Sequence, residues 1–260
     1  MRRKDGGVCI WAALATLTLT GAALAQTAGH CSIAAGHWDD KLEFSYDRGD
    51  CGELRHCHEG DSDMPWSRWN GIAPADLQHE GASLDARMSA EAGEMRCLGK
   101  VHDGELLGSY SFAPSAEFAR RMEAMGFDDQ TPDRLQGYAF LEVTIAWVKE
   151  LKDAHVTDMT AEKLMGLRAL KVDAAYVRAM AAAGYPELSA ERLTSMKAVG
   201  VTPEKVQAVR AMGYSPTEEE LIQMSVFKID APFVERMKSR GFKDLTIAQL
   251  VKIKVFNLDE

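Results

Sequence analysis

The stretch Val201-Thr202-Pro203-Glu204-Lys205-Val206-Gln207-Ala208-Val209-Arg210-Ala211-Met212-Gly213-Tyr214-Ser215-Pro216-Thr217-Glu218-Glu219-Glu220-Leu221 decides how the second half of the chain folds. Thr202 is a helix N-cap, and Pro203 fits the first helical position, where a missing N–H costs nothing. Val206, Val209 and Met212 recur at helical spacing, and Gly213 permits the left-handed backbone that stops the helix. Thr217, with Glu220 three residues on, forms a reciprocal capping box and opens a second helix at once. The segment reads as a helical hairpin.

That hairpin recurs. Gly126, His155, Gly184, Gly213 and Gly241 are spaced by 29, 29, 29 and 28 residues, and Leu135, Leu164, Leu193, Leu221 and Leu250 by 29, 29, 28 and 29. One deletion explains both series: the step from the glycine position to the next cap is five residues to Thr131, Thr160, Ser189 and Thr246, but four from Gly213 to Thr217. Thr131-Pro132 repeats the cap-then-proline start, and Thr246 with Gln249 repeats the capping box. Helices of about ten residues are marginal alone. An all-α array of about five hairpins of 28–29 residues, over 115–260, would give them a shared core. Met122, Met180, Met212 and Met237 then read as core contacts, and Phe127, Tyr185, Tyr214 and Phe242 as hydrophobic closures of the helix ends. His155, in place of a glycine, reads as a strained cap, the alternative being a pH-sensitive or ligand-facing residue.

Upstream the period changes. Leu42–Tyr46, Ser83–Met88, Glu94–Leu98 and Leu106–Phe112 are short alternating runs, with Asp103-Gly104 as a hairpin turn between the last two. Pro114 marks a boundary. The sequence therefore predicts an α+β chain: a small antiparallel β domain over 26–114, then the helical repeats.

The first 25 residues read as a secretory signal that is removed rather than kept as an anchor: Arg2, Arg3 and Lys4, an apolar run, and Ala23-Leu24-Ala25. The expected address is periplasmic or extracellular, without stable membrane insertion after cleavage. Loss of Arg2, Arg3, Lys4 and Asp5 leaves 27 basic and 38 acidic side chains, a balance that argues against nucleic acid as a partner. Residues 26–114 carry net −9 and residues 115–260 only −2. Cys31, Cys51, Cys57 and Cys97 all lie in the first part, and an even count in an exported chain points to disulfides. Of the three possible pairings, Cys51 with Cys57 and Cys31 with Cys97 are expected, the first closing a short loop and the second tying the amino-terminal end to a strand.

Three clusters could carry chemistry. His56, Cys57 and His58 offer ligands suited to Zn or Cu, although the spacing lacks a paired metal-site pattern and disulfide formation competes. Glu59-Gly60-Asp61-Ser62-Asp63 resembles half of a calcium loop and reads more simply as a solvated acidic turn. Trp66 and Trp69 could form a carbohydrate or peptide platform, or anchor a loop to the core. The sequence has no H-E-x-x-H, G-x-S-x-G, Walker or dinucleotide glycine motif, so no catalytic residue and no cofactor is assigned.

The units Val172–Gly200 and Val201–Lys228, with their Gly-Tyr pairs and cap-x-x-x-Leu second helices, resemble the hairpin repeats at the extracytoplasmic end of bacterial BlaR/MecR-type membrane metallopeptidases and related stand-alone exported proteins. Glu91–Val101 and Gly108–Phe112, with Pro114 and Phe118, are similar to the strand meander that leads into those repeats. The resemblance covers roughly residues 84–256. It implies a sensing, binding or scaffolding module and carries over no peptidase residue. The expected function is a non-enzymatic envelope protein that binds another protein or peptide; metal binding through His56, Cys57 and His58 is the alternative.

Overall fold

In the computed structural model, residues 27–38, 40–47 and 60–258 are described. Six strands, β1 (Thr27–Ala35), β2 (Lys41–Asp47), β3 (Gly60–Pro65), β4 (Ser83–Ala90), β5 (Gly93–His102) and β6 (Glu105–Pro114), form one antiparallel sheet in the order β3-β2-β1-β6-β5-β4. Asp103 and Gly104 have φ of 50° and 82° and join β5 to β6 in the tight turn that left-handed geometry at both positions allows. The Gly60–Asp63 stretch is not an acidic turn: it pairs with Glu43–Tyr46 as part of edge strand β3. Asp63 and Pro65 suit an edge, where they discourage further strand addition.

The sheet is curled. Cys31 of β1 and Cys97 of β5 are disulfide-bonded with β6 between their strands, at a Cα separation of 5.9 Å. In a flat sheet, strands two apart lie about 9.5 Å from each other. Gly99 and Gly108 face one another at the bend, and a Cβ on Gly99 would stand 2.0 Å from the Leu107 carbonyl oxygen. The concave face gathers Phe44, Tyr46, Trp69 and Tyr110, whose rings lie 4.8–6.0 Å apart where they meet.

Ten helices follow: α1 (Ala116–Ala124), α2 (Pro132–Leu141), α3 (Ile145–Asp153), α4 (Ala161–Ala169), α5 (Ala174–Ala182), α6 (Ala190–Ala198), α7 (Pro203–Ala211), α8 (Glu218–Val226), α9 (Ala231–Ser239) and α10 (Ile247–Val255). Each N-cap, from Ser115 through Thr246, accepts a hydrogen bond from the backbone N–H three residues on. The helices end as regularly. A residue at positive φ is followed by an apolar residue whose N–H bonds back to the helix, as in Val156 to Leu151, Tyr185 to Met180 and Leu258 to Ile253.

Alternate helices stack. α2, α4, α6, α8 and α10 form one continuous ladder, and α1, α3 and α5 contact each other in turn. Gly137 and Gly166 hold the close points of the first ladder, facing Met165 and Thr194. α2 also packs on β5 and β6, and its Phe140 inserts against Tyr46 at 5.5 Å, so one core runs from the sheet into the helices. Arg68, in a short turn after β3, donates to the carbonyl oxygens of Ala139 and Phe140 at 2.9 Å each and pairs with Glu142 at 3.2 Å. Those carbonyls lie in the last turn of α2, where Ala139 O also accepts from Glu142 N–H at 3.3 Å, so the guanidinium adds to the helix cap while fixing the helix to the sheet.

Candidate binding groove

The repeat dictates what fills the space between successive helix pairs. Trp147 Nε1 donates to Val172 O at 2.9 Å, and Tyr176, 29 residues on, donates through its hydroxyl to Val201 O at 2.9 Å. Tyr185 and Tyr214, also 29 apart, reach Pro216 O at 2.6 Å and Leu245 O at 3.0 Å. Each ring fills apolar space while its polar atom ties one unit to the next.

A cation covers two of the rings at the helix ends. Lys152 Nζ lies 5.2 Å from the Phe127 centroid, and Arg210 Cζ lies 5.7 Å from that of Tyr185. The position equivalent to Lys152 and Arg210 is Ala181 in α5, where the preceding unit has Val156 in place of an aromatic. Lys238 occupies this position beside Tyr214, but its ammonium pairs with Glu235 at 2.8 Å. Among the described residues no cation lies over the Tyr214 ring.

A groove of about 660 Å³ opens there, between the α7–α8 loop and the α9–α10 pair. Tyr214 and Phe242 stand at its sides, Met237 and Leu250 are buried at its floor, and Glu220 and Asp244 contribute carboxylates. The α7–α8 loop is the one shortened by a residue, and the left-handed residue present in the other four loops (Asp129, Asp158, Glu187 and Asp244) has no counterpart in it. At an earlier junction Thr157 N–H donates to Leu188 O and Ala190 N–H to Thr157 O; among the described residues no such bridge joins Ser215 to Thr246. Phe242, expected as a closure of its helix end, is 47% exposed and opens onto the groove.

The groove combines aromatic faces with charged groups. Glu235 holds Lys238 above its ordinary pKa, as an ammonium. Burial raises Tyr214, which stays a neutral phenol engaged with Leu245. The ring faces, the carboxylates and a volume suited to a few side chains can hold a ligand group.

The other expected sites fare differently. His56, Cys57, His58 and Cys51 lie outside the described residues, as does the amino-terminal signal segment. Cys31 and Cys97 are joined, as expected. Trp69 is buried against Phe44, and Trp66 packs on the same core, so both anchor the turn rather than form a platform. His155 is exposed at φ 62°, in the capping role. Met122, Met180 and Met237 are buried, while Met212 is only partly so and lines the groove.

One cluster was not anticipated. Glu80, His102 and Asp103 bring one potential ligand atom each within 4.8 Å of one another. His102 Nδ1 meets Glu80 at 2.8 Å and Nε2 lies 3.5 Å from Asp103, so hydrogen bonding from Glu80 and the Asp103 charge raise the His102 pKa. That favours imidazolium, which has no lone pair for a metal. All three side chains are exposed, and the cluster is an ion pair pinning the β5–β6 turn.

The groove itself was legible only in part: the deletion before Thr217 marked it, and the three-residue spacing of Glu235 and Lys238 allows their pairing, but the loss of the cation from the Tyr214 ring depends on the packing of α9 against the preceding loop. No family model, curated protein or solved structure matches the chain. Among the described residues no helix is long and apolar enough to cross a membrane.

Proposed function

We propose that the chain is a non-enzymatic exported protein of the cell envelope that binds a segment of another protein or peptide in the groove between Tyr214 and Phe242. The observation carrying this reading is the break in the repeat: one junction lacks both a loop residue and the cation that covers the ring at two earlier junctions, and an open recess of about 660 Å³ lies at that place. Stacked-helix arrays commonly bind along surfaces of this kind. The leader-like first 25 residues, the Cys31–Cys97 disulfide and the resemblance of residues 84–256 to extracytoplasmic repeats support the address.

The test is binding of labelled peptides to the purified protein, scored against Phe242→Ser. Saturable binding that weakens at least tenfold in this variant, with an unchanged thermal midpoint, is the expected result. Binding indifferent to Phe242 would remove the groove from consideration. Zinc or copper retained by protein purified without chelator, with free thiols at Cys51 and Cys57, would favour metal binding through His56, Cys57 and His58 instead.

A further inference from the structure

We infer that the group recognised in this groove is a guanidinium from an arginine side chain of the bound segment, an inference that rests on the groove being the binding site. The preceding junction supplies the template. There Arg210 lies over Tyr185 in the space left by Gly184, where a Cβ would stand 2.8 Å from its Nη2. One unit later Tyr214 and Gly213 repeat Tyr185 and Gly184, yet a Cβ on Gly213 would meet nothing within 4 Å. The glycine–tyrosine cradle is thus built twice and holds a guanidinium once.

Charge selects the occupant. The α8 carboxylates Glu218 and Glu219 are already engaged by Arg192, at 3.6 Å and 2.6 Å. Glu220 and Asp244 line the groove, Glu220 with Oε2 accepting from Thr217 N–H at 2.8 Å and its other oxygen left for a ligand, while Lys238, which also lines the groove, pairs with Glu235. An aromatic face with two carboxylates beside it attracts a cation through the ring quadrupole and ordinary charge pairing. A planar guanidinium can stack on Tyr214 and donate to both acids in a way that a compact ammonium cannot. Lys238 lines the groove, but its ammonium is paired with Glu235 and does not lie over the ring.

The probe is a fluorescein-labelled decapeptide of glycine, serine and leucine with one central arginine, alongside versions carrying citrulline, lysine or glutamate there. The arginine peptide is expected to bind at least tenfold more tightly than the citrulline one, with lysine between and glutamate weakest. Lys238→Arg is the decisive variant: its guanidinium should settle over Tyr214 as Arg210 does over Tyr185, weakening the peptide at least tenfold with no loss of thermal stability. Tyr214→Phe keeps the ring and should retain binding, which separates stacking from the Tyr214–Leu245 hydrogen bond. Equal affinity for arginine and citrulline, tighter binding of glutamate, or indifference to Lys238→Arg overturns the inference while leaving peptide binding in the groove intact. If none of the peptides binds, the groove reading falls with it.

Discussion

His155 holds a left-handed backbone, φ 62°, at a position where four of the five equivalent residues are glycine. A side chain there costs about 1 kcal/mol relative to glycine, because the Cβ crowds the neighbouring peptide. His155→Gly is therefore expected to raise stability by about 1 kcal/mol, offset slightly by the greater freedom of the unfolded glycine. Urea unfolding of the variant, with the slope unchanged, would show this as a higher midpoint. A midpoint that falls would mean that the imidazole makes a contact worth more than the strain, and the ligand-facing reading of His155 would regain its place. Position 155 was legible from the repeat because an αL cap has a residue signature. Arg68 was not: its role depends on meeting the carbonyls of Ala139 and Phe140, 71 and 72 residues away, which no local pattern encodes.

At the scale of elements, the third residue of each odd-numbered helix from α1 to α9 is Phe118, Trp147, Tyr176, Lys205 and Phe233. Three of these rings are covered from the paired even helix: Arg168 over Trp147 at 5.4 Å, Lys197 over Tyr176 at 4.2 Å and Lys254 over Phe233 at 4.3 Å. Where the ring is replaced by Lys205, the covering cation is replaced by Ser225, so two ammonium groups never meet. Burial lowers the Lys205 pKa, the cost of putting charge where the other units put an aromatic. Lys205→Tyr together with Ser225→Lys should restore the pair. We expect the two changes to be non-additive by about 0.5–1 kcal/mol in favour of the double variant, from cation–π contact and relief of repulsion. Four-way comparison of urea unfolding measures this; strict additivity would show that the two positions do not communicate. These regularities were readable because each helix carries its own cap, stripe and stop. The strands were less so. β1 (Thr-Ala-Gly-His-Cys-Ser-Ile-Ala-Ala) offers Cys31 and Ile33 as its buried positions, and β3 is rich in residues that strands disfavour. Both exist because β2 lies between them and β6 beyond, a tertiary cause invisible in a short window.

For the whole molecule, the two ends of the array differ in what covers them. α2 is held by the sheet, by Phe140 among the rings and by Arg68, whereas α10 presents Val255 and Phe256 to solvent at 49% and 68% exposure. In a stacked array, stability passes mainly between neighbours, so opening should start at the end with one neighbour fewer. Amide hydrogen exchange is therefore expected to be slowest in α2 and α4 and progressively faster through α8 and α10. The disulfide gives this a sharper form. Cys31 and Cys97 are 66 residues apart, and a link over a loop of that size restricts the unfolded chain by about 4 kcal/mol. Replacing both cysteines with serine should speed exchange in β1 and β5 by up to about three orders of magnitude, the rate equivalent of that energy. The rates in α9 and α10 should change far less, since several interfaces separate them from the sheet. Equal acceleration at both ends would show a single cooperative unit, in which the sheet and the groove could not respond separately. Confinement of the effect to the sheet and α2 would leave the Tyr214 groove free to open and close on a partner without disturbing the disulfide-bonded end.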